Sequence, residues 1–174
     1  MSKVRVPVVA SGGIANGAGL AAALAMGASG VHCGTMFLVA HESHAHAYHK
    51  QRIVDAVAGD TVHTDIFALT RWPAGSPVRV LANSVTDEVR DHPLGNDPYG
   101  LPRETIGADA FGPILKYETV SPLRDATGDF EKMALFAGES SALIHATASA
   151  KEIIERMLNE ARDALDRVQA MRVG

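Results

Sequence analysis

The sequence predicts an α/β fold that opens with a parallel β-strand–α-helix–β-strand unit. Val4–Ala10 is rich in β-branched residues, which is typical of a strand buried on both faces of a parallel sheet. Gly17–Met26 has the alanine and leucine content of a helix, and Gly27 stands where a helix commonly ends. Gly30–Cys33 is a second short strand. Two strands joined by a helix in this order form a right-handed crossover.

Composition limits the classes of function. The chain has 174 residues, 47% of them hydrophobic, which suffices for one sizeable core. A net charge of −4 without a basic cluster argues against nucleic acid as a partner. A single cysteine, Cys33, suits a reducing compartment. The apolar stretches are too short for a membrane span, and no signal peptide is recognised at the start. We therefore expect a cytoplasmic protein that binds neither nucleic acid nor membrane.

Beyond Ala40 the predicted elements are less regular. His41–Val57 has the composition of a helix, which Gly59-Asp60 would end. Thr61–Leu69 alternates in the manner of a strand, and Val78–Leu81 predicts another. The segment from Asp91 to Pro122 is rich in proline, glycine and aspartate, which favours a long lid rather than core.

The carboxyl-terminal part is predicted to be helical. Phe130–Ala137 and Ser141–His145 are expected to be short helices, and Ser149–Met171 a long one. Ser149 and Glu152 have capping-box spacing. The apolar face of this long helix is predicted to consist of five residues: Ile154, Leu158, Ala161, Leu165 and Val168. The chain is thus divided into a βαβ part (1–58), an insertion or lid (59–126) and a helical segment (127–174).

Both strands of the opening unit end in glycine-bearing loops. Ser11, Gly12 and Gly13 follow the first strand, and Gly34 and Thr35 follow the second. The carboxyl ends of parallel strands form the usual ligand-binding edge of a sheet. Backbone amides at glycines can approach a phosphate closely, and the start of a helix favours an anion. No Asp or Glu occurs in residues 1–41, so the sequence predicts a phosphate site; two tight turns are the plainer alternative.

A dinucleotide fingerprint is a rival interpretation. Gly17–Ala22 fits the pattern G-x-G-x-x-A, with Glu42 about twenty residues further on. These glycines, however, fall inside the predicted helix rather than in the turn that follows the strand. A barrel phosphate site, in which two consecutive loops share one phosphate group, fits the spacing better.

The segment "PVVASGGIANGAGLAAALAMGASGVHCGTMFL" resembles the phosphate-binding half of the nitronate monooxygenase family, formerly called 2-nitropropane dioxygenases. The family pattern is PV-x-A-x-GGI-x-x-G-x-G-x-AAALA-x-GA-x-GV-x-x-GT-x-F. Three later segments are also similar to the family in the same order: "HESHAHAYHKQRIVDA", "PVRVLANSV" and "TGDFEKMALFAGESSALI". The opening motif alone is shared with other flavin barrels, including flavin-dependent enoyl reductases.

The resemblance implies an FMN-dependent (β/α)8 barrel that oxidises alkyl nitronates with O2 and needs no metal. This chain would supply the carboxyl-terminal, phosphate-binding part of the barrel. Ser11, Gly12 and Gly13 would form the first FMN phosphate loop, and Gly34 and Thr35 the second. The alternatives are a relative of the flavin-dependent enoyl reductases and a non-catalytic flavin- or phosphate-binding fragment completed by a partner chain.

The chain departs from the family in two respects. The family's catalytic histidine lies upstream of the matching segment, so no catalytic residue is assigned here. A barrel typically takes about 250 residues, and two strands cannot close one. The alternatives are a fragment of a longer product, association as a homo-oligomer or with the missing amino-terminal half, and an open α/β sheet assembled differently. The second departure is Glu139, which stands where the family usually has glutamine.

A cluster of histidines allows a metal site to be considered. His46 and His49 would lie one helical turn apart, on the same face as Glu42. No H-E-x-x-H or C-x-x-C motif accompanies them, so a polar helix start is the favoured interpretation. Cys33, in the second strand, is expected to pack as a small hydrophobic residue, and one of His32 and Cys33 to point toward the flavin. Trp72, Lys116 and Tyr117 are weaker candidates for contact with a ligand.

Overall fold

A computed structural model describes residues 4–70, 72, 73 and 75–171. The strands are β1 (Val9–Ser11), β2 (Gly30–His32), β3 (Thr61–Thr64), β4 (Val78–Leu81), β5 (Thr105–Asp109), β6 (Gly112–Leu115) and β7 (Thr127–Gly128). The α-helices are α1 (Gly17–Ala25), α2 (Thr35–Leu38), α3 (Ala47–Val54), α4 (Ser84–Glu88) and α5 (Ala150–Ala170). Short 3₁₀ turns cover Pro98–Gly100, Phe130–Lys132 and Glu139–Leu143.

The predicted βαβ unit is present. Strands β1 and β2 pair in parallel, with Ser11 opposite His32, and α1 connects them. The first strand is shorter than the predicted Val4–Ala10, and its burial on two faces is wrong: Val9 is 56% exposed. The reason is that β1 pairs with β2 alone in the described part of the chain, and no second layer covers the Val9 side.

Helix α1 forms as predicted. The side chain of Asn16 accepts a hydrogen bond from the amide of Gly19 and caps the helix start. At the other end Gly27, with φ of 92°, adopts the left-handed conformation that lets the chain leave the helix. Its main partner is α5, which crosses it closely at Gly17.

The predicted helix His41–Val57 is wrong in its first part. Only Ala47–Val54 forms α3, and α2 precedes it as a separate turn. The backbone between them bonds to distant segments instead: the amide of His41 donates to Ala148 O, and that of His46 to Pro122 O. The imidazole of His46 then caps α3 by accepting from the amide of Tyr48.

Strands β3 and β4 form an antiparallel pair over one of the hydrophobic clusters. The prediction of Val78–Leu81 is confirmed, but the strand predicted over Thr61–Leu69 ends at Thr64. Asp65 interrupts it, because its buried carboxylate accepts hydrogen bonds from the amides of Gly95 and Asn96. Burial raises the pKa of Asp65, but hydrogen bonds from the Asn96 side chain and from these two amides outweigh this effect, so that the pKa is lowered.

The segment from Asp91 to Pro122 differs from the predicted lid. It contains β5 and β6, which form a three-stranded antiparallel sheet with β7. Ile106 and Ile114 are buried under this sheet together with Met133. The segment therefore has a small core of its own.

The helices predicted at Phe130–Ala137 and Ser141–His145 are 3₁₀ turns over Phe130–Lys132 and Glu139–Leu143. Between these turns the chain is extended and runs beside β4. The amide of Leu81 donates to Leu135 O, and the amide of Ala137 donates to Arg79 O. These ladder bonds keep the intervening segment out of a helix.

The long helix α5 and its Ser149–Glu152 capping box are confirmed. Its predicted apolar face is wrong, apart from Ala161. The buried side carries Ile153, Met157 and Ala161, which pack against α1 and the main core. Ile154, Leu158, Leu165 and Val168 lie next to this side and stay exposed. Among the described residues no helix has the length and apolar character needed to cross a membrane.

Candidate functional site

The two glycine loops lie at the same end of the β1–β2 pair, where both strands have their carboxyl ends. Gly12 and Gly13 follow Ser11 at the end of β1, and Gly34 and Thr35 follow β2. Because the strands are parallel and in register from Val9 to Ser11, both loops emerge on one side. The five residues that the sequence predicted as a group are therefore brought together.

The loop geometry leaves backbone amides available to a ligand. Gly12 and Gly13 have φ of 92° and 72°, a conformation that residues with a Cβ rarely adopt. A Cβ added at Gly12, Gly13 or Gly34 would meet no atom within 4 Å, so the space above these residues is open. None of these three amides donates a hydrogen bond within the described part of the chain. Open space over unpaired amides fits an anion such as a phosphate.

Thr35 has a hydrogen-bond partner that the sequence did not indicate. The amide of Gly138 donates to Thr35 Oγ1 at 2.9 Å, from 103 residues along the chain. The Thr35 hydroxyl is thereby held as an acceptor, and its own hydrogen is left to donate. Thr35 is also the first residue of α2, whose start has no side-chain cap. The amides of the first turn of α2 therefore add to the donors at this edge.

The start of α1 is occupied, contrary to the expectation that it would favour an anion. Glu160 Oε2 accepts from the amide of Gly17 at 2.8 Å, and Asn16 Oδ1 accepts from Gly19. Residues 1–41 contain no carboxylate side chain, but in the folded protein α5 places the carboxylate of Glu160 at the start of α1. An anion at the loops would be held by the loops themselves and by α2.

His32 and Cys33 point to opposite sides of β2. Cys33 packs against the main core, and burial raises the pKa of its thiol. His32 is exposed on the other side, where its Nδ1 lies 3.4 Å from Ser11 Oγ. His32 is therefore the member of the pair that faces the open side of the sheet.

The three residues that were considered as metal ligands, His46, His49 and Glu42, each have another role. His49 is fully buried, between the carbonyl of Phe136 and the hydroxyl of Ser121. His46 caps α3, and the Glu42 carboxylate caps α5 by accepting from the amide of Ala150. Among the described residues no group of three His, Cys, Asp or Glu side chains could hold a metal ion.

The remaining candidates have protein partners. Glu139 forms an ion pair with Arg79 at 3.3 Å. Trp72 stacks on Phe136 at a centroid distance of 6.1 Å. The last two, Lys116 and Tyr117, both bind the carboxylate of Glu88. No structural feature here assigns any of them to a ligand.

Comparison with known proteins identifies relatives over almost the whole chain. The family model for nitronate monooxygenase matches residues 1–160. A Mycobacterium tuberculosis protein named as a monooxygenase is 32% identical over 95% of this chain and 41% of its own length. The nitronate monooxygenase of Paraburkholderia phytofirmans is 29% identical over 95% of this chain and 40% of its own.

Two solved structures are similar in fold. FabK from Thermotoga maritima superposes with a TM-score of 0.73 at 29% identity, over 98% of this chain and 49% of its own. The nitroalkane oxidase from Streptomyces ansochromogenes has a TM-score of 0.69 at 30% identity, over 95% of this chain and 42% of its own. These neighbours support the α/β fold. The chain spans less than half the length of each relative.

Proposed function

Because this chain belongs to the nitronate monooxygenase family, we propose that it is part of an FMN-dependent oxidoreductase that oxidises alkyl nitronates with O2. The family is that of an oxidoreductase; the flavin and the substrate are our inference. In this proposal Ser11, Gly12 and Gly13 form one half of the FMN phosphate site. Gly34 and Thr35 form the other half. The protein is proposed to act in the cytoplasm.

The observation that carries the proposal is the convergence of unpaired amides at one edge of the sheet. Two loops with open space above their glycines follow adjacent parallel strands. A phosphate dianion could accept hydrogen bonds from both loops and from the Thr35 hydroxyl. The uncapped start of α2 adds a favourable partial charge.

When bound, FMN supplies the redox chemistry, and the protein binds and orients it. The described residues contribute the phosphate end: amides at Gly12, Gly13 and Gly34, and a hydroxyl at Thr35 that Gly138 holds in place. We assign no residue of this chain as the base that takes a proton from substrate.

A flavin-dependent enoyl reductase is the second candidate. The structural likeness to FabK supports this candidate, because FabK matches the chain about as well as the nitroalkane oxidase does. The phosphate site would be the same in both enzymes. The two enzymes differ in the redox partner of the flavin: the reductase requires a nicotinamide cofactor, and the nitronate monooxygenase requires O2.

The phosphate assignment is tested by titrating FMN into the protein and following flavin fluorescence. We expect Gly12→Asp to weaken FMN binding at least about a hundredfold, because it places a carboxylate among the phosphate donors. Gly12→Asn is the matched control, since it has nearly the same size and a similar tolerance of positive φ but no charge. If Gly12→Asp binds FMN as tightly as the parent, the loop does not hold the phosphate.

The two activities are separated by their redox partners. Oxygen uptake on addition of an alkyl nitronate would support the proposed function. Oxidation of NAD(P)H coupled to an enoyl thioester would instead identify the reductase. FMN bound tightly with neither activity would favour a binding module.

A further inference from the structure

Ser121 and His49 form a hydrogen-bonded pair beside a cavity. Ser121 Oγ lies 3.0 Å from Nδ1 of His49, although the two residues are 72 positions apart in the chain. Ser121 is half-buried and lines a cavity of about 320 Å³, together with Thr119, Val120 and Leu123, among others. We propose that Ser121 is a nucleophile that His49 activates, and that the cavity accepts uncharged carboxylic esters with a small acyl group. The proposal does not depend on the ligand at the glycine loops.

The orientation of the His49 ring is fixed from its far side. Nε2 lies 3.0 Å from the carbonyl oxygen of Phe136, which can only accept a hydrogen bond. Nε2 therefore carries the hydrogen, and the lone pair of Nδ1 is directed at Ser121. The Ser121 hydroxyl donates to Nδ1, so its proton is already held by a base. A nucleophile, a base and a group that orients the base are the parts of a serine hydrolase site, and here a main-chain carbonyl orients the base.

His49 is available as a base at neutral pH. The side chain is fully buried, and this desolvation, assisted by the charges of Arg52 and His46, lowers its pKa to about 4. Among the described residues no carboxylate contributes to this pKa, so an imidazolium would have no counter-charge. The ring is therefore a neutral but weak base at pH 7. We accordingly expect slow turnover, with the acyl group accumulating on Ser121.

The backbone beside Ser121 offers donors for an oxyanion. The amides of Val120, Ser121 and Leu123 donate no hydrogen bond within the described part of the chain. The carbonyl of an ester attacked by Ser121 develops negative charge on its oxygen. Unpaired amides next to the nucleophile can stabilise that charge, which a serine that only solvates a buried histidine would not require.

The lining of the cavity limits the substrate. Val120, Leu123 and Phe111 give it apolar walls, and Asp109 adds a carboxylate. A carboxylate disfavours an anionic substrate, since like charges repel. The volume of about 320 Å³ is at the lower end for a small-molecule site. These features favour an uncharged ester with a short apolar acyl group.

The reaction is acyl transfer through the serine. Ser121 Oγ forms a bond to the acyl carbon while its proton moves to Nδ1 of His49 and the carbonyl electron pair moves onto oxygen. When the carbonyl re-forms, the bond to the alcohol breaks, and His49 returns the proton to the leaving oxygen. Water then attacks the acyl carbon and gives a proton to Nδ1. The bond to Oγ breaks, Oγ takes this proton back, and the carboxylic acid leaves.

The test treats the chain with p-nitrophenyl acetate and follows the release of p-nitrophenol. We expect a burst of about one equivalent per chain, with the acetyl group located on Ser121 by peptide mass spectrometry. Ser121→Ala should abolish the burst. Ser84→Ala is the matched control and should keep it, because the Ser84 hydroxyl also donates one hydrogen bond within the protein, to the carbonyl of Glu131 rather than to an imidazole.

The contribution of His49 is measured in two ways. His49→Gln is expected to slow acetylation at least about a hundredfold, because it removes the general base. Urea unfolding of this variant checks that it is folded at the temperature of the assay. In the parent, the rate of acetylation should be level between about pH 6 and pH 8, because the imidazole is already neutral there. A serine that reacts without a base would accelerate about tenfold per pH unit over the same range.

Three results would overturn the proposal. They are the absence of the acetyl group from Ser121, an equal burst from Ser121→Ala and the parent, and a rate that rises about tenfold per pH unit. Each is what a purely structural Ser121–His49 hydrogen bond predicts. FMN binding by the chain is measured separately, so an unreactive Ser121 leaves the phosphate assignment standing, and the reverse also holds.

Discussion

Gly17 illustrates how a single residue can be misread from the sequence. It is the first glycine of a pattern that fits a dinucleotide fingerprint, yet it lies in the first turn of α1 and packs against α5. A Cβ at this position would lie 2.3 Å from Ala161 N and 2.4 Å from Met157 O. The glycine is therefore needed for the close helix crossing, and no nucleotide is required to explain it.

We expect Gly17→Ala to destabilise the protein by about 3 kcal/mol, because α5 backbone must move to admit the methyl group. The better helix propensity of alanine, about 1 kcal/mol, offsets part of the cost. Gly19→Ala is the control: its Cβ would approach nothing closer than 3.4 Å, so it should be neutral or slightly stabilising. Urea unfolding of both variants measures the difference. Equal free energies of unfolding for the two variants would show that the α1–α5 crossing accommodates the added methyl group without cost.

The limits of helix α5 could be predicted from its own sequence, but its buried face could not. Its limits and its capping box depend on residues a few positions apart, so both could be predicted. Which face is buried depends on where α1 and the core lie, and the prediction was wrong by about one residue around the helix. The buried side includes Ile153 and Met157, while Ile154 and Leu158 remain exposed.

The Ser149 cap of α5 is expected to contribute measurably to the free energy of unfolding. Ser149→Ala removes the side-chain oxygen that accepts from the amide of Glu152, and should cost about 1 kcal/mol. Ser149→Asp should keep most of the stability, because a carboxylate also caps a helix start. The measurement is the free energy of unfolding of both variants in urea. If alanine is tolerated as well as aspartate, the carboxylate of Glu42 is sufficient as a cap.

At the scale of the whole molecule, His49 joins α3 to two distant segments. Its Nε2 lies 3.0 Å from the carbonyl of Phe136, which can only accept, so this nitrogen carries the hydrogen. Nδ1 then accepts from Ser121 Oγ, also at 3.0 Å. The ring is thus neutral. Burial, assisted by the charges of Arg52 and His46, lowers the pKa of His49 to about 4.

This lowered pKa predicts loss of stability in acid. An unfolded histidine titrates near 6.5, so its contribution is fully present above pH 6.5 and is lost as pH falls toward 4. The difference in pKa corresponds to about 3 kcal/mol. His49→Gln should be less stable than the parent at pH 7, with the gap narrowing by pH 4.5 in urea titrations. A gap independent of pH would show that His49 does not titrate in this range.

The limits of prediction are clear at the glycine loops. Ser11–Gly13 and Gly34–Thr35 were found because glycines mark the ends of two local strands, and the parallel connection brings the loops to one edge. Gly138 and Glu160 left no local signal, since they reach Thr35 and Gly17 from 103 and 143 residues away. Long-range backbone contacts of this kind depend on the packing of several elements.

The sequence by itself determined the βαβ unit, the two loops, the capped final helix and the family. Each depends on spacing over a few residues or on a motif that relatives share. Only the tertiary structure decided which polar groups have hydrogen-bond partners within the protein. The start of α1 is bonded to Glu160, His46 caps α3, and His49 lies in the core. The reason is that hydrogen bonding and burial are properties of neighbours in space, which adjacency in the chain does not specify.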